Sequence, residues 1–98
     1  MRSRTRESEV LAARWAVAAG RIEEAVRRAQ EQGAMRADVG LADVRAVFWG
    51  VGEVAEVAAE TAPELWRRHL HLLLDGLRAP AATPMPTAAV GRARARRL

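Results

Sequence analysis

One stretch, residues 61–78, restricts the fold more than any other, because its apolar side chains cover more of a helix than one neighbour can bury. At about 100° per residue, one stripe is formed by Trp66, Leu70, Leu73 and Leu77. Three more leucines widen this stripe on both sides. A helix that is apolar over most of its circumference lies at the centre of a bundle, or contacts both its own core and a second subunit. The sequence therefore predicts an all-α fold in which this helix has more than one partner.

The start of this helix is predicted by a capping box. Thr61 can accept a hydrogen bond from the backbone N–H three residues on, and the carboxylate of Glu64 can reach back to the N–H of Thr61. Pro63 is tolerated in a first turn, where the backbone N–H groups have no helical partner. We expect a helix from Thr61 to Arg78.

A first helix is predicted over residues 5–32, where apolar residues recur at spacings of three and four. Gly20 lies inside this pattern and costs about 1 kcal/mol relative to alanine, so a kink or a break there is compatible with the sequence. Gly33 suits the left-handed residue that ends many helices. Two ion pairs at i,i+4 spacing are expected on the polar face, Glu23 with Arg27 and Glu24 with Arg28.

A helix is also predicted over residues 41–60, with Asp43 in the first turn, where the helix dipole favours an acid. Its apolar residues form two neighbouring stripes. The first consists of Leu41, Val44, Phe48, Val51, Ala55 and Ala58, and the second of Val47, Gly50, Val54 and Val57. Small residues such as Ala46 and Gly50 allow a partner backbone to approach closely. The sequence thus predicts a bundle of about three helices, two of which have apolar surface to spare.

The formal net charge of +4 is concentrated at the two ends of the chain. Residues 7–78 contain nine arginines and twelve acids, a net charge of −3, whereas residues 79–98 contain four arginines and no acid. Residues 79–98 are also rich in alanine and proline, a composition typical of disorder. We expect a helical domain over residues 1–78 and a disordered basic tail over residues 79–98. The tail is interpreted as a solvated segment, with phosphate binding through counterion release as the alternative.

The sequence provides little for catalysis or for metal binding. It contains no cysteine, lysine or tyrosine, and its two serines, Ser3 and Ser8, lie near the N-terminus. His69 and His71 point about 200° apart on a helix, so they cannot share a metal ion. The spacing of His71 and Asp75 predicts an exposed hydrogen-bonded or ion pair, and His69 is expected to be partly buried. We expect no enzymatic activity, no metal and no cofactor.

Neither a signal peptide nor a membrane-spanning stretch is evident in the sequence. Glu7, Glu9 and Arg14 interrupt the Ala-rich region that follows the first arginines. No stretch approaches the length that a membrane span requires. We expect a cytoplasmic protein without membrane contact.

Five short segments carry a family resemblance. They are residues 36–39 (RADV), 42–44 (ADV), 48–50 (FWG), 63–68 (PELWRR) and 72–78 (LLLDGLR). In that order and spacing they resemble the C-terminal domain of TetR-family transcriptional regulators, and the last two segments are typical of the SbtR-like group. The resemblance covers about residues 22–78, and residues 1–20 fit only as a generic helix.

The resemblance implies a regulatory domain whose last two helices pair with those of a second subunit in a four-helix interface. The second subunit is expected to be another copy or a different TetR-like chain. At that interface we expect Val47, Gly50, Val54, Val57, Leu65, His69, Leu72 and Gly76. The resemblance also implies a pocket for a small apolar effector, for which the inward candidates are Trp15, Ile22, Val26, Phe48 and Val51.

The sequence departs from the family in one respect. TetR-type regulators bind DNA through an N-terminal helix-turn-helix, and no pair of turn-linked helices precedes Gly33. We therefore expect no direct sequence-specific DNA binding by this chain, and a regulatory role only with a DNA-binding domain supplied elsewhere. The alternative is a small helical interaction protein whose basic tail contacts nucleic acid or an acidic partner and whose likeness to the regulators is coincidental.

Overall fold

The computed structural model describes residues 2–98, apart from the side chains of residues 2–5 and of residue 81. Three long helices make up most of this part of the chain: α1 (Arg2–Glu31), α2 (Leu41–Val57) and α3 (Leu65–Gly76). They are followed by a 3-10 turn (Ala79–Ala81) and a short helix, α4 (Arg92–Arg96). Within residues 2–98 the only β-type pairing is an isolated bridge between Met35 and Arg78. The predicted all-α fold with about three main helices is confirmed.

Helix α1 runs through Gly20 without a break. It ends where the sequence predicts, because Gly33 has a φ of +76°, a conformation that glycine adopts without strain. The N–H of Gly33 donates to the carbonyl of Gln30 at 3.0 Å, and the N–H of Ala34 donates to the carbonyl of Ala29 at 2.9 Å. These two bonds form a Schellman motif, which satisfies carbonyls at the helix end.

Helix α2 begins at Leu41, and Asp43 lies in its first turn as predicted. The carboxylate of Asp43 accepts a hydrogen bond from the N–H of Gly40 at 2.9 Å. This bond satisfies a backbone donor that precedes the helix, and the negative charge is favourable at the positive end of the helix dipole.

Helix α3 begins at Leu65, so the predicted start at Thr61 is wrong. The capping residue is Glu64, without a side-chain hydrogen bond, and α2 already ends at Val57. Between the helices, the N–H of Ala62 donates to the carbonyl of Ala58 at 2.8 Å and the N–H of Leu65 to that of Ala62 at 3.0 Å. The physical reason is that the chain has to reverse direction before α3 can pack on α2. Predicted helices ending at residue 60 and starting at residue 61 left no residues for that turn.

The buried core is small. Its main cluster consists of Ala19 on α1, Leu41 and Ala42 at the start of α2, and Ala95 on α4, with Trp15 and Ile22 packed against it. Val26 and Val39 are also buried. Many large apolar side chains remain exposed outside this core. They include Val10, Leu11 and Val17 on α1, Phe48, Trp49 and Val57 on α2, and Leu65, Leu72 and Leu74 on α3.

The C-terminal segment, residues 82–98, differs from the disordered tail expected from composition. Its helix α4 packs against the core, and Ala95 is only 1% exposed. The indole Nε1–H of Trp15 donates to the backbone carbonyl of Arg96 at 3.0 Å. Composition did not indicate this arrangement, because the residues that hold α4 lie on α1 and at the start of α2, far earlier in the chain.

Candidate functional site

The eight residues predicted at the subunit interface lie along the line where α2 and α3 meet. We call them the interface strip. At one end, Val47 faces Leu72 and Gly76 across a groove of about 270 Å³. At the other end, Val54, Val57 and Leu65 line a shallow cavity with Glu53 and Ala58. The structure therefore brings these residues together on one side of the helix pair, and whether they form a subunit interface stays a prediction.

The middle of the strip is formed by Gly50 and His69. A Cβ at Gly50 would lie 3.7 Å from Nε2 of His69, which is an ordinary van der Waals distance. His69 is partly buried, as expected from its position at the edge of the apolar arc. The absence of a side chain at Gly50 thus leaves a shallow depression beside His69 rather than relieving a clash.

Much of the strip is open to solvent. Val57 is 74% exposed and Leu72 is 60% exposed, and Leu65 is also exposed. Scattered exposed apolar residues are normal on a protein surface, whereas a contiguous row of them is typical of an interaction site. The strip has the composition of such a row, since it contains five aliphatic side chains and no charged residue.

The five predicted pocket residues are not brought together in one cavity. Val26 lines a cavity of about 260 Å³ between α1, the start of α2 and the C-terminal segment. The remaining lining residues of that cavity are Glu23, Arg27, Gln30, Gly40, Leu41, Val90, Arg92 and Ala95. Trp15 and Ile22 pack against the core, Val51 is half-buried, and Phe48 is 62% exposed. Sequence reasoning missed Leu41, Val90 and Ala95 as cavity residues. Val90 and Ala95 were missed because they belong to the segment that was expected to be disordered.

Arg45 lies between two tryptophan rings. Its guanidinium carbon is 3.8 Å from the centroid of Trp15 and 5.1 Å from that of Trp49. Its Nη1 is buried and has no hydrogen-bond partner in the described part of the chain. The electron-rich ring faces partly offset the cost of burying this nitrogen without a hydrogen bond. The signal in the sequence was the i,i+4 spacing of Arg45 and Trp49, which places them side by side on a helix.

Arg36 connects three separate parts of the chain. Its guanidinium donates to both carboxylate oxygens of Asp38, at 2.6 and 3.0 Å, and to the backbone carbonyl of Gly76 at 3.4 Å. It also donates to the carbonyl of Thr83 in the C-terminal segment. The hydrogen bonds between the two side chains lower the pKa of Asp38 and raise that of Arg36. Both residues belong to the RADV segment that carried the family resemblance, but their role as a connection was not predicted.

Glu23 holds the C-terminal segment on α1. Its carboxylate accepts hydrogen bonds from Arg96 at 3.0 and 3.2 Å and from Arg92 at 2.9 Å. The hydrogen bond from Arg96, followed by that from Arg92, lowers the pKa of Glu23 to about 2. A depressed carboxyl pKa stabilises the folded state above the ordinary value of 4.5, and this contribution is lost as the pH falls through about 2.

The predicted pairing of Glu23 with Arg27 is therefore wrong. Glu23 lies under α4, and two guanidinium groups there take both of its oxygens. Arg27 instead pairs with Glu24 and Glu31. The predicted pair of Glu24 with Arg28 is confirmed at 3.2 Å.

One further predicted pair of polar side chains is present on α3. His71 and Asp75 form the predicted exposed pair, with Nε2 and Oδ2 3.4 Å apart. No three histidine or acidic side chains of the described residues are grouped as a metal site requires. Among the helices of residues 2–98, none is long and apolar enough to cross a membrane.

One comparison with known proteins identifies a family for this chain. The family of C-terminal domains described as transcriptional regulator SbtR-like matches residues 1–79. The match thus includes the N-terminal half of α1, which the sequence resemblance had treated as a generic helix. It also leaves no support for the interpretation that the likeness is coincidental. No curated protein and no solved structure is significantly similar to the chain. The chain therefore belongs to the SbtR-like C-terminal domains of TetR-family transcriptional regulators, a family of regulatory domains.

Proposed function

We propose that the chain is a dimerisation and effector-sensing domain that controls transcription together with a helix-turn-helix DNA-binding domain. The interface strip carries this proposal. Its aliphatic residues lie in register on two antiparallel helices, and several of them are exposed in a single chain. Two copies that pack these strips against each other would form a four-helix arrangement and bury the exposed side chains of both.

The energetics favour burial of the strip. Removing a valine or leucine side chain from water contributes about 1.5–3 kcal/mol when burial is complete. In a symmetric dimer the burial of each exposed residue contributes twice, because both subunits use the same patch. A standard interface of about 800 Å² per partner is within reach of two helices with exposed apolar faces.

Self-association of the full chain tests the dimerisation proposal. Val57→Glu places a charge at the open end of the interface strip, at a position exposed enough for the single chain to tolerate it. We expect the dissociation constant from sedimentation velocity to rise at least about tenfold, which corresponds to 1.4 kcal/mol. The matched control is Val17→Glu, an exposed valine on α1 outside the strip.

The two variants separate the outcomes. Circular dichroism should show the same helicity for both, and only Val57→Glu should weaken the dimer. Equal weakening by Val17→Glu would place the interface on α1, and an unchanged dissociation constant for Val57→Glu would rule out the strip. If the chain associates only when mixed with a different TetR-type regulator, the partner is a heterologous subunit rather than a second copy.

The effector part of the proposal is supported by the cavity that Val26 lines. Its walls include four apolar side chains, Val26, Leu41, Val90 and Ala95. The polar side chains around them are those of Glu23, Arg27, Gln30 and Arg92. Pockets for small molecules combine an apolar lining with a few polar groups. At about 260 Å³ the cavity suits a small apolar molecule.

A further inference from the structure

The C-terminal segment crosses the surface on which the proposed function depends. Met85 lines the α2–α3 groove together with Val47, Leu72 and Gly76, which are three of the eight residues of the interface strip. The same segment is attached to the helical body both before and after Met85. Before it, the carbonyl of Thr83 accepts a hydrogen bond from Arg36. After it, α4 packs on α1.

We propose that the C-terminal segment competes with a second copy of the chain for one end of the interface strip. This inference rests on the proposed dimerisation. In the single chain Met85 lines the groove, and a partner subunit that places its own strip there has to displace the segment. The segment is then an intramolecular inhibitor of dimerisation.

The segment covers part of one end of the strip, where Leu72 is still 60% exposed, and leaves the other end open. Val57 and Leu65 lie at the far end, where the lining residues of the shallow cavity come from α2, α3 and the turn between them. An exposed apolar end beside a covered one allows a second copy to begin packing before the segment is displaced. A second copy of the chain fits this surface, because in a two-fold symmetric dimer the uncovered apolar residues of one chain face the same residues of the other.

The attachments of the segment are suited to release. Arg92 and Arg96 bind Glu23 with side chains that are 82% and 47% exposed, whereas the Glu23 side chain is 15% exposed. Because the arginine side of each pair is open to solvent, salt weakens both pairs. Ala95 is the one buried apolar residue among the described side chains of the segment, and Pro84 and Pro86 prevent a longer helix from forming around Met85. A segment held in this way is bound to the helical body in most molecules but is able to detach.

The strength of the competition follows from the docked fraction. In a symmetric dimer both copies must release the segment, so the apparent dissociation constant exceeds the intrinsic one by the inverse square of the competent fraction. Docking in about nine tenths of molecules therefore weakens dimerisation about a hundredfold. Releasing the segment should therefore tighten the dimer by up to that factor.

Glu23→Ala in the full chain tests the proposal, because Glu23 lies on α1 and not on the interface strip. The matched control is Glu24→Ala, which removes only exposed pairs within α1. Release is read from the indole N–H resonance of Trp15, which donates to Arg96 in the docked state. Dimerisation is read by sedimentation velocity over a concentration series. Met85→Thr, at a half-exposed position, removes the side chain from the groove without touching the anchor.

We expect Glu23→Ala to shift the Trp15 signal and to lower the dissociation constant several-fold, with Met85→Thr acting in the same direction and Glu24→Ala unchanged. A shifted Trp15 signal with an unchanged or raised dissociation constant overturns the competition, while association of the unmodified chain still supports dimerisation. An unshifted Trp15 signal overturns the role of Glu23 as the anchor and the proposal with it. Failure of every variant to associate overturns the proposed dimerisation itself.

Discussion

At the scale of single residues, the described structure depends on side chains that connect distant parts of the chain. Arg36 is 8% exposed, and it reaches Asp38 on the connector, the end of α3 and the C-terminal segment. The connector is further tied to α3 by backbone hydrogen bonds, from Arg36 N–H to the carbonyl of Leu77 at 2.9 Å and from Ala79 N–H to that of Ala34 at 3.1 Å. Gln30 completes this arrangement, since its Nε2 donates to the carbonyls of Arg36 and Val39. The connector is thus fixed by hydrogen bonds from both side chains and backbone.

Replacement of Arg36 by lysine tests this role. Lysine keeps the charge but cannot bind both oxygens of Asp38 and two backbone carbonyls with one planar group. We expect the melting temperature of Arg36→Lys, followed by circular dichroism, to fall by about 5–10 °C. Arg67→Lys is the control, because the pair of Arg67 with Glu64 is exposed, and its melting temperature should change by no more than about 2 °C. A similar fall in both variants would show that the hydrogen bonds of Arg36 stabilise the fold no more than an exposed ion pair does.

At the scale of the elements, periodicity and end signals were informative to different degrees. Apolar spacings of three and four are a local property, and they predicted all three long helices. Gly33 and Asp43 also act locally, through φ and through the helix dipole, and both have the predicted roles. The capping box at Thr61 failed because the reversal between α2 and α3 is set by packing of the two helices. Helix ends that coincide with a tertiary turn are not determined by the capping residues alone.

The glycines of α1 and α2 allow a prediction at this scale. Gly20 and Gly50 are both inside helices, and an added Cβ meets nothing within 4 Å at Gly20 and only His69 at Gly50. Each change to alanine should raise the free energy of unfolding of the single chain by about 1 kcal/mol. The two should differ in self-association, because Gly50 lies on the interface strip and a methyl group there would keep a partner backbone at a distance.

Urea unfolding and sedimentation velocity together check this expectation. Gly20→Ala should be stabilised with an unchanged dimer, whereas Gly50→Ala should be stabilised as a single chain and weakened as a dimer. If Gly50→Ala strengthens the dimer instead, the two subunits do not approach closely at this position, and small residues on α2 have only a structural role.

At the scale of the whole molecule, the C-terminal segment changes what the helical body presents to its surroundings. It adds Ala95 to the core and Val90 to the cavity beside Val26, and it places Met85 in the α2–α3 groove. It lies beyond residue 79, where the family match ends. The cavity beside Val26 and the interface strip are therefore both bordered by residues outside the matched region.

The cavity gives a prediction for effector binding. Indole is a small apolar probe with one hydrogen-bond donor, and a ligand present at about 100 times its dissociation constant stabilises a protein by about 2.7 kcal/mol. We expect indole to raise the melting temperature of the unmodified chain. Val26→Trp fills the cavity and should abolish this shift, whereas Val17→Trp, at an exposed position on the same helix, should retain it. Loss of the shift in both variants, or in neither, would contradict binding at this cavity.

The sequence by itself determined the class of the fold, the three long helices, the end of α1 and the membership of a regulator family. These properties depend on local periodicity, on the conformation of single residues and on short segments in a fixed order. The tertiary structure alone decided where α3 begins, that Glu23 pairs with the arginines of α4, that Arg45 lies between two tryptophans, and that the C-terminal segment is packed. Each of these depends on contacts between residues far apart in the chain. The energy of such contacts comes from geometry and burial, which no local pattern of residues records.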